Sequence, residues 1–350
     1  MPYDETFVKR QTGLPRFLEE TQELLQNEQS KPGTKIQRSI HLKGCQTMER
    51  TVTTTIDEVL CTGCGLCVDV CPKDTITMKD GKAVVTGQES LSCGHCLAVC
   101  PTGAIRVAAL DPALSAFKNF ESRKSWMPFG KGDIQDLVNL MQSRRSCRNF
   151  QEKPVPRDVL EDLVKIGITA PSGSNCQQWT FTILPDRPAV ERLARWVGDF
   201  FANLNRTAEK AWLRKGLKLL GKPELEQYFQ NYYQTVREGL ERWEKEGKDL
   251  LFHGAPAAIV VGSKKEASCP AEDALLATQN MLLAAHPLGL GTCLIGFAVQ
   301  AMRRDRSILS RIGMPGDEAA YAVIALGYPK EKYQRLTGRK QALVHYFPKP

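Results

Sequence analysis

The sequence predicts an α+β protein, and three observations carry that prediction. Apolar runs with strand character are few and helical segments many, without a regular strand–helix–strand alternation. Seven of the twelve cysteines crowd into residues 49–107. Within that stretch "CVDVCPKDTITM" (67–78) repeats as "CLAVCPTGAIRV" (96–107), an offset of 29 residues. A chain of 350 residues, 42% hydrophobic and 25% charged, is long enough for about two ordinary domains.

Composition also narrows the function classes. No apolar run is long enough to cross a bilayer: the stretch Asp273–Val299 is broken by Gln279, Asn280, His286, Pro287 and three glycines. The N-terminus lacks a secretory h-region, so the expected setting is the cytoplasm. That compartment is reducing, and cysteines there point to metal or redox chemistry. A net charge of +8 with no aromatic-interleaved basic stripe argues against nucleic acid. It fits an acidic redox partner or a phosphate-bearing cofactor.

In chain order, residues 1–47 form a polar, basic extension with one amphipathic candidate helix, Pro15–Gln26, and Met48 is a plausible alternative start. Residues 49–107 form a cysteine-rich domain, opened by a β-branched strand at Thr51–Ile56, with a turn and strand at Lys79–Val85. Residues 108–135 read as a linker packed on the surface. The larger domain, 136–350, is expected to hold helices at Asp136–Gln142, Pro156–Ile168 and Pro270–His286, and strands at 180–186, 257–263 and 321–329. An insert at 187–250 reads as aromatic-rich helices, either packing or a lid over a substrate pocket; Phe200 and Phe201 are its first candidates for substrate scope.

Cys61, Cys64, Cys67 and Cys71 with Pro72 spell C-x2-C-x2-C-x3-C-P. Such short spacings wrap one loop around one cluster, and soft thiolates suit iron. Zinc would use only four of the seven cysteines and leave the paired Cys-Pro steps unexplained. The segment resembles a bacterial two-cluster ferredoxin. The resemblance implies that Cys61, Cys64, Cys67 and Cys100 hold one [4Fe-4S] cluster, and that Cys71, Cys93 and Cys96 hold three corners of a second. Ser90 stands where the fourth ligand belongs. It leaves three outcomes open: an alkoxide ligand, a [3Fe-4S] site, or a labile fourth iron held by water or another residue. Clusters with an incomplete ligand set are often oxygen-labile, so Ser90 predicts an anaerobic or microaerobic setting.

Four further pieces follow. "RRSCRNF" (144–150) gathers Arg144, Arg145, Ser146 and Arg148, with Arg144 and Arg148 expected one helical turn apart, as an anion site. "APSGSNCQQW" (170–179) offers Pro171, Ser172, Gly173, Asn175 and Gln177 in a turn before a strand. "PLGLGTCLIGF" (287–297) reads as a glycine-rich turn; Leu294 and the preceding helix exclude a dinucleotide fingerprint. "LTGRK" (336–340) adds Arg339 and Lys340. In this order the pieces resemble the FMN-dependent nitroreductase family over about 136–345. The resemblance implies a nitroreductase-like fold, a mainly antiparallel sheet flanked by helices, and a homodimer with FMN at each end of its interface. It implies that Arg144, Ser146, Arg148 and Arg339 face the phosphate and ribityl chain, with Arg145 in the same cluster. Pro171, Ser172, Gly173, Asn175 and Gln177 would line the flavin, and the backbone of Leu294, Ile295 and Gly296 would approach its ring.

Cys147, Cys176 and Cys293 are expected as small fillers, Trp179 as a core residue, and His253 and His286 as structural. No side chain stands out as an obligate acid or base, so protons would come from solvent or a tyrosine of the insert. The expected function is an oxidoreductase passing electrons from the clusters through FMN to a small organic acceptor, such as a nitroaromatic or activated alkene. Its external donor is a ferredoxin or NAD(P)H. An NAD(P)H-fed nitroreductase with secondary clusters and a non-enzymatic electron-transfer or redox-sensing protein are the rivals; a specialised flavin reaction such as reductive dehalogenation stays within the family.

Overall fold

A computed structural model describes residues 50–347, all of which belong to one compact unit. The expected helix Pro15–Gln26 and the alternative start at Met48 lie outside those residues.

The cysteine-rich lobe is two short β-ribbons and two single-turn helices. Strand β1 (Thr54–Ile56) pairs antiparallel with β4 (Ile105–Val107), and β2 (Ile76–Lys79) with β3 (Lys82–Val85). Helices α1 (Leu66–Asp69) and α2 (His95–Val99) each start after a left-handed glycine, Gly65 and Gly94. The two halves therefore repeat in backbone as well as in sequence. Ile76, Ala83, Ala104, Ile105 and Val107 form a small core with Cys61 and Cys67. Of the expected strand Thr51–Ile56 only its second half pairs.

The linker is anchored. After a short 3-10 turn at Pro112–Ser115, the backbone N–H groups of Lys118 and Asn119 and the Asn119 side-chain amide all donate to the buried Asp162 carboxylate, at 2.8–3.1 Å. Burial pushes the Asp162 carboxyl up; these donors outweigh it and hold the group below its ordinary range.

The larger lobe is a four-stranded sheet of order β5-β6-β8-β7, antiparallel throughout: β5 Trp179–Leu184, β6 Ala257–Lys264, β7 Gly291–Leu294 and β8 Glu318–Gly327. Helices α3 (Ile134–Ser143) and α4 (Arg157–Gly167) precede it. Helices α5 (Arg187–Ala208), α6 (Ala211–Leu219), α7 (Glu224–Asn231) and α8 (Tyr233–Glu246) form the insert, followed by α9 (Pro270–Ala285), α10 (Gly296–Arg304) and α11 (Arg306–Arg311). Side chains alternate across a strand. Ala257, Ile259 and Val261 of β6 meet Leu160, Leu163 and Met281 of α4 and α9. Ala258 and Val260 meet Leu193, Val197 and Met302 of α5 and α10. Both faces being covered explains why β6 reads as an unbroken apolar run.

Two expectations are corrected here. Helix α3 ends at Ser143, and Arg144 is already extended (φ −60°, ψ 128°), so Arg144 and Arg148 are not a helical turn apart. The chain instead runs beside β7, bridging Ser146 to Thr292. Second, the glycine-rich turn at 287–297 contains strand β7: Gly291 lets the buried Cys147 approach, since a Cβ there would fall 2.7 Å from the Cys147 Cβ. Among the described residues no helix is long and apolar enough to cross a membrane.

Candidate functional site

The cysteines partition into two cavities. Cys61, Cys64, Cys67 and Cys100 line one. Cys71, Cys93 and Cys96 line the other, together with Ser90. Each half of the repeat thus lends its Cys-Pro cysteine to the other half's cavity. The thiols stand around cavity walls, and among the described residues no three His, Cys, Asp or Glu side chains are arranged for a single metal ion. Four soft donors around one cavity, and three plus a hydroxyl around its twin, fit a multi-iron cluster better than lone zinc.

The repeat extends to electrostatics. Burial pushes the thiols of Cys67 and its equivalent Cys96 up. Burial also raises Cys71 and its equivalent Cys100, but hydrogen bonds outweigh it and both lie below the ordinary thiol range. The donors come from Thr75, Lys73 and Ile76 in one half and from Thr102, Ala104 and Gly103 in the other. Donors to sulfur favour the thiolate, the ligating form.

Ser90 is 7% exposed, and its Oγ accepts from the Ser92 N–H at 3.0 Å. The ring nitrogen Nδ1 of His95 lies 3.1 Å from Cys93 Sγ, a neighbour that sequence reasoning missed. The spacing C-G-H-C was its only signal.

The second candidate site gathers Arg148 with Cys293, Leu294, Ile295 and Gly296 along one cavity. Burial pushes the Cys293 thiol up, while the charges of Arg148 and Arg144 pull it back, which places both guanidinium groups near it. None of Arg144, Arg145 and Arg148 makes an ion pair among the described residues, so their charge stands ready for an anion. Ile295 is buried, and Gly296 opens α10, whose first N–H groups have no side-chain cap. The rest of the cavity is aromatic: Phe200, Phe201, Tyr228 and Tyr232 of the insert, and Phe297. Phe201 packs edge-on against both Phe200 and Phe297. The insert therefore serves core and cavity together. His253, half-buried at φ 58°, also lines this cavity; burial, with Arg148 adding to it and Asp249 opposing, holds it below the ordinary imidazole range, which favours the neutral ring. Tyr228 fits poorly as a proton source: burial pushes it up to about 12, and its hydroxyl donates to Asn205 at 2.6 Å.

The third candidate piece lies elsewhere. Loop 171–177 precedes β5, at the opposite sheet edge from β7. Three strand spacings, about 14 Å, separate those edges. The loop is tightly wound. Ser174, Asn175 and Gln177 have φ of 53°, 54° and 51°. The Gly173 N–H donates to Asp273 at 2.9 Å, and the Gln177 N–H to Ser172 Oγ at 3.0 Å. Pro171 is exposed. The Asn175 amide donates to the Leu91 carbonyl of the cysteine-rich lobe at 2.8 Å. Arg339 lies on the exposed segment after β8 and bonds only to the carbonyls of Thr337 and Gly338. One chain thus joins the arginine segment to 293–296, but brings neither loop 171–177 nor Arg339 to them. Cys147 and Cys293 are buried, as fillers are; Cys176 is half-buried and donates to Asp273. Trp179 donates its indole N–H to the Asp273 carbonyl, a structural role, and His286 ends α9.

A family model described as "Nitroreductase family" matches residues 141–328. Another, "4Fe-4S dicluster domain", matches residues 60–105. Among known proteins the chain is similar to an NADH dehydrogenase of Thermus thermophilus, 28% identical over 199 residues, covering 57% of this chain and 89% of that one. It is similar to an iodotyrosine deiodinase of Thermotoga neapolitana, 26% identical over 217 residues, covering 60% of this chain and 97% of that one. Among solved structures it is similar to an FMN-bound nitroreductase of Bacteroides fragilis, with a TM-score of 0.45 and 22% identity over 60% of this chain and 99% of the other.

Proposed function

The chain belongs to the nitroreductase family and carries a 4Fe-4S dicluster domain ahead of it, and from that premise we propose that it is an iron–sulfur flavoprotein oxidoreductase delivering electrons to a small organic acceptor. The observation that carries the reading is the partition of seven cysteines into two cavities within the same compact unit as the unpaired arginine segment.

Cys61, Cys64, Cys67 and Cys100 would hold one cluster, and Cys71, Cys93 and Cys96, with or without Ser90, the second. FMN fits the remaining groups: Arg144, Ser146 and Arg148 supply charge and hydrogen bonds for a phosphate, and the start of α10 adds backbone donors. When bound, FMN supplies the two-electron chemistry that none of these side chains can perform. The chain's own residues bind and orient it, and Phe200, Phe201, Tyr232 and Phe297 exclude water from the acceptor pocket. His253, whose neutral ring is favoured by burial, can accept a hydrogen bond from an acceptor there.

The separation of loop 171–177 from the arginine face supports a homodimer in which the loop of one subunit meets the arginines of the other. Helix α3 supports it too: Ile134, Leu137, Val138 and Met141 form an exposed apolar stripe. Dimerisation would also bring the exposed segment bearing Arg339 within reach of a second subunit.

The test is anaerobic reduction of purified protein with iron, sulfide and FMN counted. Reduction of the clusters by a low-potential one-electron donor, followed by flavin bleaching and saturable turnover of a nitroaromatic, supports the reading. Direct bleaching by NADH, with clusters as bystanders, sustains the NAD(P)H-fed alternative, which the NADH dehydrogenase relative favours. Absence of any small-molecule turnover leaves an electron-transfer or sensing role.

A further inference from the structure

The two cavities of the cysteine-rich lobe are not placed alike with respect to the flavin loop. The Ser90 N–H donates to the Arg50 carbonyl at 2.8 Å. The Arg50 guanidinium donates to the Ser174 carbonyl at 3.3 Å. From the other side, the Asn175 amide donates to the Leu91 carbonyl at 2.8 Å. The dipeptide Ser90-Leu91 is therefore clamped at both ends onto residues 174–175, and Ser90 itself lines the second cavity. Among the described residues the cysteines of the first cavity make no such hydrogen bond to the larger lobe, and Cys64 is exposed.

We infer that the cluster held by Cys71, Cys93 and Cys96 is the one that faces the flavin, and that Asn175 is the positioning residue that sets this junction. The inference rests on the flavin reading above and goes further by giving the relay an order. In that order electrons would enter at the Cys61, Cys64, Cys67, Cys100 site, through the exposed Cys64, and would leave from the Ser90 site. A low-potential one-electron donor would supply the cluster held by Cys61, Cys64, Cys67 and Cys100, the outer one. Each onward step would move one electron and break no bond; two electrons, with two protons from solvent, would balance the reduction of one FMN.

The loop is built for this contact. Asn is among the few side chains that tolerate a left-handed backbone, and at φ 54° Asn175 keeps that conformation while its amide reaches the other lobe. The hydrogen bond lands two residues before Cys93. Hydrogen bonding around ligating cysteines is a main lever on cluster potential.

The experiment uses the full holoprotein and two variants that both tolerate positive φ but lack the donor, Asn175→Asp and Asn175→Gly. Iron, sulfide and FMN contents are measured first. EPR-monitored redox titration then gives the two cluster potentials, with the Cys64→Ala protein assigning the outer signal. Transfer from cluster to flavin is followed by flavin bleaching after rapid mixing with a reduced ferredoxin-type donor. We expect both variants to shift the potential of the Cys93 cluster, leave that of the outer cluster unchanged, and slow transfer by about tenfold, since small misplacements are costly where geometry is fixed. A shift on the outer cluster instead, or unaltered potentials with an unaltered transfer rate, overturns the inference. A wild-type protein whose reduced clusters never bleach the flavin overturns the functional reading. In that case a shift confined to the Cys93 cluster still upholds the junction, and its absence overturns both.

Discussion

The two halves of the cysteine-rich lobe share a backbone and differ in what they face. Cys61, Gly63, Cys64, Gly65 and Cys67 in the first correspond, at an offset of 29, to Ser90, Ser92, Cys93, Gly94 and Cys96 in the second. Gly63 and Ser92 both take positive φ, at 74° and 48°. In the first half the carbonyl of Gly81 crowds Gly63, so a Cβ there would fall 2.0 Å from that oxygen. In the second half Ser92 keeps its side chain, and its N–H caps Ser90. The half that kept all its cysteines opens to solvent at Cys64. The half with Ser90 in place of a cysteine is fastened to loop 171–177.

The largest expected effect comes from breaking the complete half. Cys67→Ala removes a buried donor, and about four irons per chain should be lost with the outer cluster, with marked destabilisation of the lobe. Iron counting and thermal unfolding read this out; full iron retention would mean that Cys67 is not a ligand. Converting the second half into a copy of the first is the next test. Ser90→Cys should complete a four-iron site, remove any three-iron EPR signal and lengthen the life of the cluster in air. An unchanged iron count and spectrum would show that position 90 does not face the cluster.

Asp162 anchors the linker that follows the second half. Asp162→Ala removes the acceptor of three donors on the exposed residues Lys118 and Asn119 and should cost about 2 kcal/mol without altering either cluster spectrum. The pH dependence has a definite sign. Asp162 lies below its ordinary carboxylate range when folded, so its stabilisation is fully present above that range. It is lost as pH falls through the depressed folded value. Acid denaturation of Asp162→Asn should lack this component.

Gly63→Ala should cost about 2 kcal/mol from backbone strain and the Gly81 clash. The smallest effect is expected at the equivalent position: Ser92→Gly relieves a left-handed serine and should change stability by less than about 1 kcal/mol. Chemical denaturation of the two proteins side by side compares them. Equal costs would show that the halves are packed alike at this position.

Much of the fold was legible because its signals are local. The four strands of the large sheet and the helices of the insert follow from apolar runs and turn residues, except β7, whose four residues hide among glycines. The same glycines that read as a turn let Cys147 pack against Gly291. The arginine segment also misled: spacing alone matched a helix, but the chain at 144–148 had to run extended to lie beside β7. Asn175 is the instructive residue of the site. Its neighbours read as part of a turn before a strand, yet its side chain reaches a carbonyl 84 positions earlier in the chain, which no local pattern can show.

What the sequence determined alone was chemistry carried by residue type and short spacing: thiolates in the ferredoxin run, the repeat at 29, the serine in place of one ligand, and the arginines suited to an anion. Tertiary structure decided which cavity each thiol joins, that loop 171–177 and the arginines stand at opposite sheet edges, and that the half bearing Ser90 meets that loop. Spacing along a chain fixes local geometry over a turn or two; which distant surfaces meet depends on how buried faces and backbone hydrogen bonds are satisfied by the whole fold.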